Sequence, residues 1–164
     1  MMRWFWVSLL LLVGSGCGDL DFKVNDRVVY SPRPLFTEFE MADSSLQACI
    51  EQAIIDQTVT VANELRTLNC SHAGIGSLLG LEIFTGLKQL KLSSNEIRNL
   101  TPLMQLSSLE ALYLDNNQVV DPVPLYELLS LNTLDLSGNS SLQCPGGNAL
   151  FRLAELSLPD HCRR

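Results

Sequence analysis

Residues 87–95 read LKQLKLSSN, residues 109–117 read LEALYLDNN and residues 131–139 read LNTLDLSGN, one apolar skeleton written at a spacing of 22. The skeleton continues in both directions. Leu65, Leu68 and Cys70 stand one period before Leu87, Leu90 and Leu92, and Leu153, Leu156 and Leu158 stand one period after Leu131, Leu134 and Leu136. Ile75, Ile97 and Val119 form a further column, as do Leu81, Leu103 and Leu125, and Phe84, Leu106, Leu128 and Leu150. In L-x-x-L-x-L the period-two part predicts a short strand with its leucines on one face and the residues between them on the other. One such unit cannot bury its leucines alone, so copies must stack and merge them into a continuous core. Five strand-bearing rungs are expected. The return segments carry Pro102, Pro122 and Pro124, which disfavour regular helix and predict extended or short 3₁₀ stretches.

This spacing is identified as the leucine-rich repeat pattern. The fold class expected is an α/β solenoid, a right-handed leucine-rich repeat superhelix with an N-terminal capping helix and short parallel strands on its concave face. Asn95, Asn117 and Asn139 stand in the turn leaving each strand, where an amide satisfies backbone groups that the bend leaves unpaired; they are read as structural. Ala73 and His161 replace this asparagine in the first and last rungs. A terminal rung needs a cover. Ser44-Ser45-Leu46-Gln47 matches a capping box, and Leu46, Cys49, Ile50, Ala53 and Ile54 recur at helical spacing, so this helix is expected to lie over the first rung.

The first residues combine one arginine, an uncharged apolar run over 4–13, and small residues, the form of a secretory signal and too short for a membrane-spanning helix. Val13-Gly14-Ser15-Gly16-Cys17 resembles the lipobox of bacterial lipoproteins, although Gly14 stands where Leu is commoner. The resemblance implies cleavage before Cys17 and acylation of that residue, with an outer-membrane destination because Gly18 follows it directly. Ordinary signal-peptidase cleavage, leaving Cys17 an incidental thiol, is the competing reading. Five cysteines are an odd number for an exported chain, and lipid on Cys17 leaves Cys49, Cys70, Cys144 and Cys162 for two disulfides. Three connectivities are possible. Cys49 on the apolar helix face and Cys70 at an inward strand position favour Cys49–Cys70, while Cys144 on the return path of the last full repeat and Cys162 just past the last strand favour Cys144–Cys162. The organisation expected is a signal peptide at 1–16, a lipid-anchored tether at 17–42, an N-terminal cap at 43–64, repeats at 65–158 and a C-terminal cap at 159–164.

From the capping helix through VTVANELRTLNC to the repeats with TPL-type returns, the sequence resembles the internalin-like class of bacterial leucine-rich repeat proteins. That resemblance implies a non-catalytic module that binds a protein, peptide or glycan through its strand-lined face. The outward positions of the strands make the candidate surface: chiefly Asn69, Lys91, Tyr113, Asp115 and Asp135, with Tyr113 as a central aromatic anchor. Five strands about 4.8 Å apart span only about 19 Å, which suits a small epitope. A net charge of −7 with scattered Lys and Arg excludes nucleic acid as a partner. Cys70-Ser71-His72 and His161-Cys162 are the groups suggestive of catalysis or metal binding, but they stand at opposite ends of the solenoid; no catalytic residue, metal or cofactor is expected. A structural envelope component without a ligand is the alternative. Replacing Cys17 with Ser is expected to move the protein from the membrane to the soluble fraction. Equal soluble recovery of both forms, with no acyl mass on the wild-type N-terminal peptide, refutes lipidation.

Overall fold

Every leucine of the strand columns from Leu87 to Leu114 is fully removed from solvent, because each parallel strand lays its inward side chains on those of the next rung. The computed structural model describes residues 22–25, 27–30, 33–146, 150 and 152–163; Cys17 and the signal-like segment lie outside the described residues. Contacts divide the chain into two units, Met1–Arg33 and Pro34–Arg164. The first contains an antiparallel hairpin of β1 (Phe22–Val24) and β2 (Arg27–Tyr30), with Asn25 in a left-handed conformation between them. The expected tether at 17–42 therefore includes a β-ribbon, for which the β-branched and aromatic residues flanking Asn25-Asp26 were the signal.

The second unit opens with residues that pack against the core. Phe36 and Phe39 stack at 5.6 Å and both meet Phe84 edge-on, at 6.1 and 5.5 Å. α1 (Ser44–Gln57) follows, burying Leu46, Ile50 and Ile54. Its N-cap is Asp43, not Ser44: the carboxylate accepts from Ser45 N and Leu46 N at 2.9 and 3.2 Å. Gln47 reaches past the cap to accept from Met41 N. The one-residue shift has a physical reason. The other Asp43 oxygen accepts from Gly76 N at 2.9 Å and Ser77 N at 3.3 Å, so one carboxylate ties α1 to the first return segment, which a serine hydroxyl cannot do.

Five strands then form one parallel sheet in sequence order: β3 (Thr67–Asn69), β4 (Gln89–Lys91), β5 (Ala111–Tyr113), β6 (Thr133–Asp135) and β7 (Glu155–Ser157). Their register pairs residues 22 apart, as in Leu68↔Leu90 and Leu90↔Leu112. The returns contain 3₁₀ turns at Leu81–Ile83, Thr101–Gln105 and Val123–Glu127, with Pro102 and Pro124 at their starts. Ser77, Asn99 and Asp121, also 22 apart, introduce them by accepting from Leu79 N, Thr101 N and Val123 N. Gly86 allows the closest backbone approach, since a Cβ there would meet Asn63 O at 1.9 Å.

The asparagines bridge consecutive rungs. Asn117 accepts from Ile97 N at 3.1 Å and donates to Leu92 O of the preceding rung at 2.9 Å and Leu114 O of its own at 3.1 Å. Asn139 repeats this with Val119 N, Leu114 O and Leu136 O. Asn95 serves the first rung, accepting from Ala73 N and Ile75 N, so Ala73 is itself a recipient of the ladder. The residue before each turn position is left-handed: His72, Ser94, Asn116 and Gly138 have φ of 60, 57, 54 and 73°. The structure joins Cys49 to Cys70 across 5.9 Å between Cα atoms and Cys144 to Cys162 across 5.2 Å.

Two outcomes follow from this bonding. Asn117→Ala leaves buried backbone groups of two rungs without partners and is expected to cost about 1–3 kcal/mol in denaturant unfolding. A silent substitution contradicts the bridging role. Burial pushes the Asp43 pKa up, but the N–H groups of Gly76, Leu46, Ser77 and Ser45 outweigh it and hold the carboxyl below its ordinary 3.8. A depressed pKa stabilises the fold above the unfolded value, and this contribution is lost as pH falls through the folded one. Asp43→Asn is therefore expected to melt below wild type at neutral pH, with the gap closing below pH 3.8. A gap unchanged across that window contradicts the assignment.

Candidate binding face

The side chains between the inward leucines form three columns on the other face of the sheet. The central column runs Asn69, Lys91, Tyr113, Asp135 and Ser157, set side by side by the strand register. A second contains Ser71, Ser93, Asp115 and Ser137, and a third Thr67, Gln89, Ala111, Thr133 and Glu155. β7 thus extends the surface to Glu155 and Ser157, beyond the four strands whose outward residues were singled out from sequence. Positions on the middle strands are half-buried, while Thr67, Asn69, Glu155 and Ser157 at the two edges are exposed.

The central residues differ in what they have left to offer. Lys91 Nζ lies 5.3 Å from the centroid of the Tyr113 ring, so the ring's negative face holds the ammonium. Tyr113 is therefore half of a cation–aromatic pair. Asp115 accepts from the Ser93 hydroxyl and, through its other oxygen, from Asn116 Nδ2 at 2.9 Å. Asp135 and Asn69 turn to their own strands: Asp135 accepts from Ser137 N at 2.9 Å, and Asn69 accepts from the Ser71 hydroxyl at 2.9 Å. Positive charge at β4 gives way to Asp115, Asp135 and Glu155 along the later strands.

One wall of the surface comes from outside the repeats. α1 lies along β3, where Gln57 Nε2 donates to Thr67 O at 2.9 Å and so occupies a carbonyl of the edge strand. Between helix and sheet runs a groove of about 520 Å³ lined by Gln52, Asp56, Gln57, Asn69, Gln89 and Lys91, among others. Sequence reasoning treated α1 only as a cover, because its apolar stripe carried the argument. The signal for the wall was the polar pair Gln52 and Asp56 at i,i+4, which hydrogen-bond at 2.7 Å. Lys91 faces both the groove and Tyr113.

The chemically suggestive cysteines are committed elsewhere. Cys70 is buried and bonded to Cys49, while His72 projects into solvent. His161 does not take the asparagine role; its Nε2 lies 2.9 Å from Leu142 O. Among the described residues no helix is long and apolar enough to cross a membrane.

No protein-family model matches the sequence, and no curated protein matches it. Among the solved structures similar to it are two from Listeria monocytogenes strain 4b F2365. Internalin InlF is 23% identical with a TM-score of 0.58, over 73% of this chain and 37% of that one. Internalin C2 is 23% identical with a TM-score of 0.57, over 70% of this chain and 63% of that one. The chain thus spans less than two thirds of either. What they share with it is the fold: this chain has an internalin-like leucine-rich repeat architecture.

Proposed function

We propose that the protein is a non-catalytic binding module whose solenoid coils as a right-handed superhelix and recognises a protein partner, through a peptide or glycan epitope, on the concave, strand-lined face. The observation that carries this reading is the Lys91–Tyr113 pair, whose lysine lines the groove beside α1. A volume of about 520 Å³ admits a side chain or a sugar ring, and the lining supplies amides, a carboxylate and an ammonium to orient it. Cys17, acylated, holds the module on a bacterial envelope membrane, the outer membrane being the destination that Gly18 favours.

A second reading is supported by the return side. Leu79, Ile83, Met104, Val123 and Leu129 are exposed there, Leu129 by 79%, which favours packing into a larger envelope assembly. Photo-cross-linkers placed at Gln89 and at Leu129 in cells separate the two. Capture from Gln89, together with at least about 1 kcal/mol of lost affinity for the captured partner on Tyr113→Ala, supports recognition by the sheet. Capture from Leu129 alone, with Tyr113→Ala folding and associating as wild type, overturns it in favour of the assembly.

A further inference from the structure

The second disulfide has a neighbour that the first lacks. Cys144 Sγ, Cys162 Sγ and a ring nitrogen of His161 lie within 4.8 Å of one another, the one such group of three among the described residues. The sequence pairs Cys144 with Cys162 and sets His161 next to Cys162; the fold places the imidazole beside both sulfurs by bringing the last return segment against the 3₁₀ turn Asp160–Cys162. The sulfurs sit among backbone carbonyls, Cys144 Sγ 3.7 Å from His161 O and Cys162 Sγ 4.0 Å from Leu142 O. A disulfide sulfur carries no proton, so these are contacts and not hydrogen bonds. The imidazole is different. Its Nε2, 2.9 Å from a carbonyl that can only accept, must be the donor, so in the neutral ring the lone pair is on Nδ1. A ring nitrogen tied to a backbone carbonyl is also how metal-ligating histidines are oriented.

We propose that the C-terminal clasp is a redox-gated site for a thiophilic divalent cation of the zinc class, closed as a disulfide when oxidised and ligated by Cys144, Cys162 and His161 when reduced. The exchange balances. A dithiol reductant gives the Cys144–Cys162 bond two electrons and two protons and closes to its own disulfide. The two thiols then release their protons as the cation binds. Two zinc–sulfur bonds of about 2.3 Å at a tetrahedral angle hold their sulfurs about 3.8 Å apart, so reduction must let the sulfurs part from bonding distance while the imidazole stays within 4.8 Å. Three protein ligands leave a fourth position for water. Cys144 and His161 are exposed and Cys162 is half-buried, so reductant and cation can both enter, whereas Cys70 of the other disulfide is 2% exposed. In either state the bond spans residues 144 and 162, so the last rung stays closed when the surroundings become reducing.

The test uses the full chain, reduced under native conditions until mass mapping shows Cys144 and Cys162 free with Cys49–Cys70 intact. Titration with Co(II), a spectroscopic stand-in for zinc, is expected to give thiolate-to-metal charge-transfer absorption saturating at one ion per chain, displaced by Zn(II). His161→Ala changes an exposed side chain and is expected to fold, but to bind at least about tenfold more weakly. Equal affinity in the two proteins, or no charge-transfer band from the reduced wild type while its circular dichroism stays native, overturns the site. If opening the clasp unfolds the chain, Zn(II) is added back. Recovery of the native spectrum in wild type and not in His161→Ala supports the site, and recovery in neither, or in both alike, refutes it.

Discussion

The buried asparagine amide that bridges one rung to the next is the constraint on which the rest of the solenoid depends. A strand of three residues cannot hold its place by backbone pairing alone, and the turn that follows it points N–H and C=O groups into the interior. Asn95, Asn117 and Asn139, exposed by 8, 7 and 0%, meet those groups with one acceptor and two donors each. Because each amide bonds to its own rung and to the preceding one, it sets the offset between rungs at 22 residues, the offset seen in the strand register. Only with that offset do the leucine columns coincide. Burial of each leucine then contributes about 1.5–3 kcal/mol, a gain available only after the polar turn has been satisfied.

The same constraint explains why the two ends differ. The first rung has Ala73 in place of asparagine, yet its turn is served by Asn95 from the rung above it. Its unsolved problem is the open edge of β3, and α1, Asp43 and the Cys49–Cys70 bond meet it together. One period after Asn139 the position is held by His161, which has no amide to serve the rung before it. Leu153 and Leu158 remain 8 and 9% exposed where their equivalents in the middle rungs are fully buried. A covalent clasp between Cys144 and Cys162 compensates for a ladder that has run out.

What could be read in the sequence follows from this division of labour. The leucine columns and the asparagine positions repeat in residue type, so they are legible in the sequence. The left-handed column is not, because His72, Ser94, Asn116 and Gly138 share a backbone conformation and no side-chain chemistry; the preceding turn geometry imposes φ and the residues tolerate it. Ser77, Asn99 and Asp121 were hidden for a related reason, since three different oxygens perform one capping task. The N-cap slipped from Ser44 to Asp43 because the deciding partners, Gly76 and Ser77, lie more than 30 residues away in sequence. The β1–β2 hairpin stood outside the repeat and was passed over with everything else that lacked the period.

The surface was legible as a surface and no further. Outward strand positions are freed from the fold's demands by the columns beneath them, so their residue types carry information about a ligand or none at all. Beside Lys91 the face of the Tyr113 ring is already engaged, and a partner bound there as proposed would either add to that pair or displace the ammonium from it. These alternatives have opposite electrostatic preferences. A partner that joins the pair brings a carboxylate to Lys91, and it meets resistance from Asp115 and Asp135 as it extends over later strands. One that displaces Lys91 brings its own cation to the ring, and the same two aspartates then favour it. The order from Lys91 to Glu155 thus gives the face a direction, with an ammonium beside the Asp56 carboxylate at the α1 end and carboxylates alone toward β7. That polarity arises from residues the fold leaves unconstrained, which is why neither the repeat nor the likeness to internalins determines it.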